Sequence, residues 1–271
     1  MSAPGAEARA AGGGGAPGHA ARALAPVEGF FAEMGRLVLM LGRTLAWTPR
    51  PPYDVRQFLL QVVRVGVQSV PVVLLTALFT GAVLALQSFA TLRRFNAEGF
   101  VGSLVSLSMV RELAPVIGGL IVAGRCGSAM AAELGTMRVT EQIDALEVMA
   151  TDPVHYLVVP RVWATTFSLP LLIALGNAVG IAGGYLVAVV LMGANPVTYM
   201  DNTFQYLDLN DLTSGLIKAA VFGLLIAVIG CAKGFHTTGG AEGVGRSTTQ
   251  AVVLASMAIL IADFFLTKIL F

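Results

Sequence analysis

Between Arg64 and Arg93, and again between Arg161 and Asp201, the chain carries no charged residue. A membrane-crossing helix needs about 20 consecutive apolar residues, so each run is long enough for one tilted span. This feature constrains the fold more than any motif. In hydrocarbon every backbone N–H and C=O must be satisfied within the segment, which leaves a helix as the solution for isolated runs of this length. Three further spans are predicted near Phe100–Gly124, Leu212–Cys231 and Ser247–Leu266. The composition agrees: charged residues make up 12% of the 271 positions, against about a quarter in soluble domains. The expected fold class is therefore an all-α integral membrane protein.

Residues 1–26, rich in Ala, Gly and Pro, read as a disordered tail without the apolar core of a secretory signal. In residues 27–64, Phe30, Met34, Leu37, Leu41 and Leu45 recur at helical spacing, with Glu33, Arg36 and Arg43 on the other side. The pattern predicts an amphipathic helix lying in a membrane interface. The alternative is a core helix of a soluble domain, for which the chain offers no other elements. Thr48–Pro52 ends this helix, and a second short one near Asp54–Arg64 leads into the first span, where Pro71 is expected to kink the start. Residues 65–271 form the membrane domain.

Five spans place the termini on opposite sides. With the N-terminus inside, the bases before Arg93 fall inside, together with Arg125, Arg138, Arg161, Lys233 and Arg246. Arg93, Arg94 and Lys268 fall outside. The bias predicts a cytoplasmic N-terminus, an external C-terminus and residence in the inner (cytoplasmic) membrane.

That orientation makes Glu133–Pro153, ELGTMRVTEQIDALEVMATDP, a cytoplasmic insert with five carboxylates and one base. Val139, Ile143, Leu146 and Ala150 share one helical face, while Glu141, Asp144 and Glu147 line a neighbouring one. Asp152–Pro153 reads as the cap and first position of the next helix. A solvated loop helix is one reading. The other is a docking element whose apolar and acidic faces fit a groove with basic residues on a soluble partner.

Arg111 and Glu112 lie inside the second span, where charge is costly unless it meets protein, water or a headgroup. Adjacent helical positions point about 100° apart, so the two do not simply neutralise each other. They either cap a shorter helix or contact a lipid headgroup, with Leu84, Leu92, Phe95 and Leu113 as candidate apolar walls. Lys218 is expected to snorkel near the end of the fourth span. Asp263 is expected to form an interhelical bond or to pair with Lys218. Gly176, Gly180, Gly183 and Gly184 favour close helix packing over a Gly-lined route. Cys126 and Cys231 read as small packing residues.

Gly240–Ser247, GAEGVGRS, imitates a phosphate-binding loop but has Arg246 in place of the Lys and lies between two spans. A flexible cytoplasmic turn, within a Gly-rich loop over Lys233–Gln250, is the better reading. None of the three histidines has a nucleophile or paired carboxylate at catalytic spacing, so no enzyme is expected. The net charge of +1 gives no field for nucleic acid.

The block AGRCGSAMAAELGTMRVTEQIDALEVMATDP, with PRVWA at Pro160–Ala164, resembles the MlaE (YrbE-type) permeases of lipid-transporting ABC systems. So do SLVSLSMVRELAPVIGGL at Ser103–Leu120, GVGRSTTQAVV at Gly243–Val253 and the Ala262–Asp263–Phe264 end. The likeness covers about Pro49 to Phe271. It implies an interfacial helix, about five spans and a coupling segment, residues 133–153, that includes Glu133, Gly135, Arg138, Glu141, Asp144 and Glu147. It also implies a homodimer moving phospholipid or a similar lipid between the inner membrane and the outer envelope. The implied partners are an ABC ATPase (MlaF-like), an MCE-domain lipid-transfer protein (MlaD-like) and a STAS-domain accessory protein. ATP and Mg would be bound by the ATPase, with no cofactor in this chain. The competing readings are a secondary transporter coupled to protons through Glu112 or Asp263, and a non-transporting scaffold.

Overall fold

A computed structural model describes residues 19–51 and 54–270, with side chains described from residue 31 onward. Among the described residues all regular structure is helical. Five helical segments are long and apolar enough to cross a membrane: Val55–Phe95, Glu98–Val139, Val154–Leu191, Leu209–Phe235 and Gly240–Leu270. The protein is an all-α, multi-pass membrane protein.

Helix α1 spans His19–Trp47, beginning eight residues before the position read from the sequence. Most of the expected tail, residues 1–18, lies outside the described residues, as does the side chain of Phe30. The described chain divides into two compact units between Leu39 and Met40. Within the first, Phe31, Met34, Val38 and Leu39 are exposed, an apolar surface suited to lipid. Within the second, Met40 and Thr44 are buried while Leu45 is exposed. The buried positions are therefore not those of the apolar stripe.

Helix α2, Val55–Val65, starts at Asp54, whose Oδ1 accepts from the Gln57 amide at 3.0 Å. A 3₁₀ turn at Val67–Ser69 separates it from α3, Val70–Leu92, and Pro71 sits in the first turn of α3. There its missing N–H costs nothing.

Helix α4 runs without interruption from Glu98 to Val139, with π-helical turns at Met109–Leu113 and Ala123–Gly127. This corrects the expected end at Gly124: Glu133 and Arg138 belong to the span helix, not to a separate insert. The short α5, Gln142–Val148, follows, and then α6, Val154–Leu191. Helix α7, Pro196–Gln205, is an addition to the sequence reading. Asn195 caps it by accepting from the amides of Val197 and Thr198, and Pro196 occupies the first turn. Tyr199 of α7 is buried against Tyr185, with ring centroids 5.5 Å apart, and burial pushes its phenol up to about 12.

Helix α8 spans Leu209–Phe235 and α9 Gly240–Leu270. The predicted Gly-rich loop is thus mostly helix, and the phosphate-loop imitation forms the first turns of α9. Arg246 there pairs with Glu242 one turn earlier at 2.9 Å.

The core is made by backbones in contact. A Cβ on Gly81 of α3 would collide with the Gly180 carbonyl of α6, and one on Gly230 of α8 would lie 2.9 Å from the Gly127 carbonyl of α4. In lipid, where apolar side chains gain little by leaving the solvent, such close approach is a main source of helix association. The expected packing role of Gly180, Gly183 and Gly184 matches this geometry, with Gly183 against Leu78 and Gly184 against Val105. Cys126 and Cys231 are both buried and free.

Candidate coupling and lipid-contact sites

The residues read as one acidic helix form a hairpin turn instead. Helix α4 ends at Val139, and Glu141 adopts a left-handed conformation with φ 59°. Seven residues of α5 follow before Ala150 turns left-handed as well, with φ 57°. These two breaks separate Val139 and Ala150 from the α5 face, so the predicted apolar stripe does not exist as such. Only Ile143 of the four is buried, and it anchors α5 to the protein. Beyond the turn, Asp152 Oδ1 accepts from the amides of Val154 (2.8 Å) and His155 (3.2 Å), opening α6 as expected.

The six candidate coupling residues fall into two groups. Glu133, itself partly exposed, bridges Arg64 of α2 (3.1 Å) and the buried Arg161 of α6 (3.0 Å). Gly135 lies against Thr237, whose Oγ1 would be 2.9 Å from an added Cβ. These two hold helices together. Arg138, Glu141, Asp144 and Glu147 lie at the hairpin. Arg138 and Asp144 form an ion pair that ties α5 to the end of α4, while Glu141 and Glu147 are exposed. Beside Glu147, Val148 is 88% and Met149 65% exposed. Helical spacing did not single them out because they lie off the counted stripe. Their signal was two large apolar residues directly after a run of acids.

A second ionic cluster joins α4, α8 and α9. Arg111 and Glu112 occupy the π-helical turn of α4 and pair across to other helices, not with each other. Arg111 donates to Asp211 Oδ1 from Nε (2.8 Å), with its terminal nitrogen 2.6 Å from the same oxygen. Asp211 also accepts the Asp208 amide through Oδ2, completing the capping box of α8, so this residue of the first turn also holds α4. Lys218 does not snorkel: its side chain is 0% exposed. Its ammonium donates to Glu112 Oε2 (2.8 Å), Thr267 Oγ1 (2.7 Å) and the Arg111 carbonyl (3.1 Å). Asp263 Oδ1 stands 3.1 Å away, one of the two roles expected of it from sequence. A buried ammonium is tolerated only with partners of this kind, and two carboxylates here outcompete a path to the interface. Glu112 and Asp263, on which a proton-coupled reading depends, are thus both engaged by one cation.

Of the candidate lipid walls, Leu84 and Leu113 line a common groove of ≈600 Å³ with Phe79, Val83 and Gln87. Leu92 lies at the end of α3, and Phe95 in the turn beyond it is 75% exposed; neither joins the groove. Arg111 and Glu112 do not line it either. The sequence therefore grouped together residues that the structure divides between an apolar groove and an ionic cluster.

The sequence that builds these sites matches a known family over most of its length. The family profile described as Permease MlaE aligns with residues 58–269. The chain belongs to the MlaE permease family. This MlaE-family chain is 49% identical over 222 residues to a probable ABC transporter permease protein of Rickettsia typhi, covering 82% of this chain and 86% of that one. It is 40% identical over 245 residues to the intermembrane phospholipid transport system permease protein MlaE of Haemophilus influenzae, covering 89% and 93%. A third relative is the chloroplastic protein trigalactosyldiacylglycerol 1 of Arabidopsis thaliana, 44% identical over 216 residues, 80% of this chain and 62% of that one. As an ABC-type permease component, this MlaE-family protein is not itself an enzyme.

Proposed function

We propose that the chain is the membrane-spanning subunit of an ATP-driven transporter that moves phospholipid between the inner membrane and the outer envelope. The substrate class follows from the likeness to the Haemophilus influenzae phospholipid permease. The mechanism rests on one observation: the hairpin that exposes Glu147, Val148 and Met149 is ion-paired to the end of α4, and α4 also carries Arg111, Glu112 and Leu113. A partner ATPase that grips α5 would displace α4 as a rod, because a continuous helix transmits axial and tilting motion along its length. The groove beside Leu113 supplies apolar walls for acyl chains.

In this reading α5 faces the cytoplasm, where a nucleotide-binding subunit supplies ATP and Mg. A second copy of the chain completes the translocation path. An MCE-domain protein on the opposite side passes lipid onward, and a STAS-domain protein accompanies the ATPase.

The test is purification from native membranes followed by reconstitution. The intact chain is expected to bring its ATPase with it and to move fluorescent phospholipid between vesicle populations only with hydrolysable ATP. Lipid movement that persists without the ATPase, driven by a proton gradient, would overturn the reading in favour of secondary transport.

A further inference from the structure

Both tryptophans of the chain, Trp47 and Trp163, line a single cavity of ≈1020 Å³. It forms where the end of α1, the start of α2, the chain leaving α5 and the first turns of α6 converge. Its lining changes character along α6. Asp152 caps the helix, Tyr156 lies one turn on, and Trp163 and Phe167 follow, a distance of roughly 20 Å at helical rise. Trp163 and Phe167 stack at 5.6 Å, and Phe167 is 62% exposed, so the aromatic wall continues onto the lipid-facing side of the span. A chamber that is acidic at its mouth and aromatic toward the membrane has the shape of an amphiphile.

The polar end decides which amphiphile. Two helix N-termini meet there, and bare N-termini would attract a phosphate. These are not bare: Asp54 Oδ1 accepts from the Gln57 amide, and Asp152 Oδ1 from the amides of Val154 and His155. Among the described residues no donor reaches Oδ2 of either carboxylate, and no Lys or Arg lines the cavity. Arg50 is turned over the Trp47 ring at 4.9 Å, and His155 packs against the same ring at 5.3 Å. Two carboxylates beside aromatic faces favour a cation, most of all an ammonium that can also rest on a ring.

We infer that this cavity holds a phospholipid of the adjoining leaflet and selects those with an ammonium headgroup, ethanolamine or choline, over anionic ones. The ammonium lies against Asp54 and Asp152, and one acyl chain runs past Trp163 and Phe167. The site is complete within one chain and does not depend on the transport reading. A lipid seated there would join the exit of α5 to the interfacial helix α2.

The test uses the full chain in vesicles made largely of phosphatidylglycerol, with small amounts of acyl-dibrominated lipid added. Bromine quenches tryptophan on contact, and both tryptophans line the cavity, so quenching reads occupancy. Dibrominated phosphatidylethanolamine and phosphatidylcholine are expected to reach half-quenching at roughly a third of the mole fraction that dibrominated phosphatidylglycerol requires. Asp54→Asn with Asp152→Asn should abolish that difference, since Asn caps a helix about as well as Asp but carries no charge. Trp163→Phe, which leaves Trp47 as the reporter, should preserve it. Equal quenching by all three lipids in the native chain would overturn the proposal, leaving only unselective boundary lipid. So would a preference that survives both Asn substitutions.

Discussion

Helix α4 carries charge near each of its ends, and the two groups are built differently. Around Lys218 the cation is fully buried among Glu112, Asp263, Thr267 and the Arg111 carbonyl, and Asp211, which pairs with Arg111, is 3% exposed. At the hairpin, Arg138 and Asp144 form one ion pair in reach of water, with Glu147, Val148 and Met149 beside it. Buried charge that loses a partner is left uncompensated, whereas an exposed pair gains and loses little. The same residue types thus serve a fixed joint in one place and a yielding contact in the other. A weakly held hairpin at the end of a well-packed helix is suited to take up a displacement and pass it to that helix.

Removing the cation of the ionic cluster should have the largest effect. Lys218→Met leaves Glu112 and Asp263 without their shared counter-charge, and unfolding in detergent should lose about 3–5 kcal/mol. Adding Glu112→Gln and Asp263→Asn to that variant should recover most of the loss, because neutral groups no longer need the ammonium. If the triple variant is as unstable as the single one, the cluster owes its stability to shape and the contrast between the two regions fails.

The next largest effect is steric. Gly180→Val places a branched side chain against the Met109 methyl and the Ala77 backbone, and overpacking of this kind costs about 1–3 kcal/mol. The denaturant midpoint should fall, with the helix content of the remaining folded protein unchanged.

Arg138→Gln should shift the same midpoint by no more than about 1 kcal/mol. Raising the salt concentration should narrow even that difference, since the pair is exposed. A loss as large as that of Lys218→Met would show that the hairpin is as rigid as the ionic cluster.

Much of this contrast was legible in the sequence, but unevenly. The charge-free runs marked the spans, because hydrocarbon admits so few exceptions. Asp54 and Asp152–Pro153 marked helix starts through chemistry that acts within a few residues, whereas Pro71, expected to kink the first span, sits in a first helical turn. The pairing of Asp263 with Lys218 was one of two roles that an opposite charge in another span suggested. What failed depended on residues far apart in the chain. Glu133 seemed to begin a soluble insert because its partners, Arg64 and Arg161, come from other helices. Lys218 seemed free to snorkel because Glu112 lies 106 positions earlier in the chain. The glycines of Gly240–Gly245 argued for a loop by propensity, yet Gly243 packs directly on the Thr238 backbone inside the start of α9. The hairpin was missed because two left-handed residues, Glu141 and Ala150, break a pattern that spacing alone treats as continuous.

The account rests on α5 as the grip for the motor, and one measurement reaches it directly. Glu147→Arg with Val148→Asp alters only exposed side chains of the hairpin, so stability of the purified chain should be unchanged. Attachment of the ATPase, measured by co-purification from membranes, should weaken by roughly ten-fold or more, and ATP-dependent lipid transfer should fall with it. Full attachment and full transfer by this variant would contradict the account.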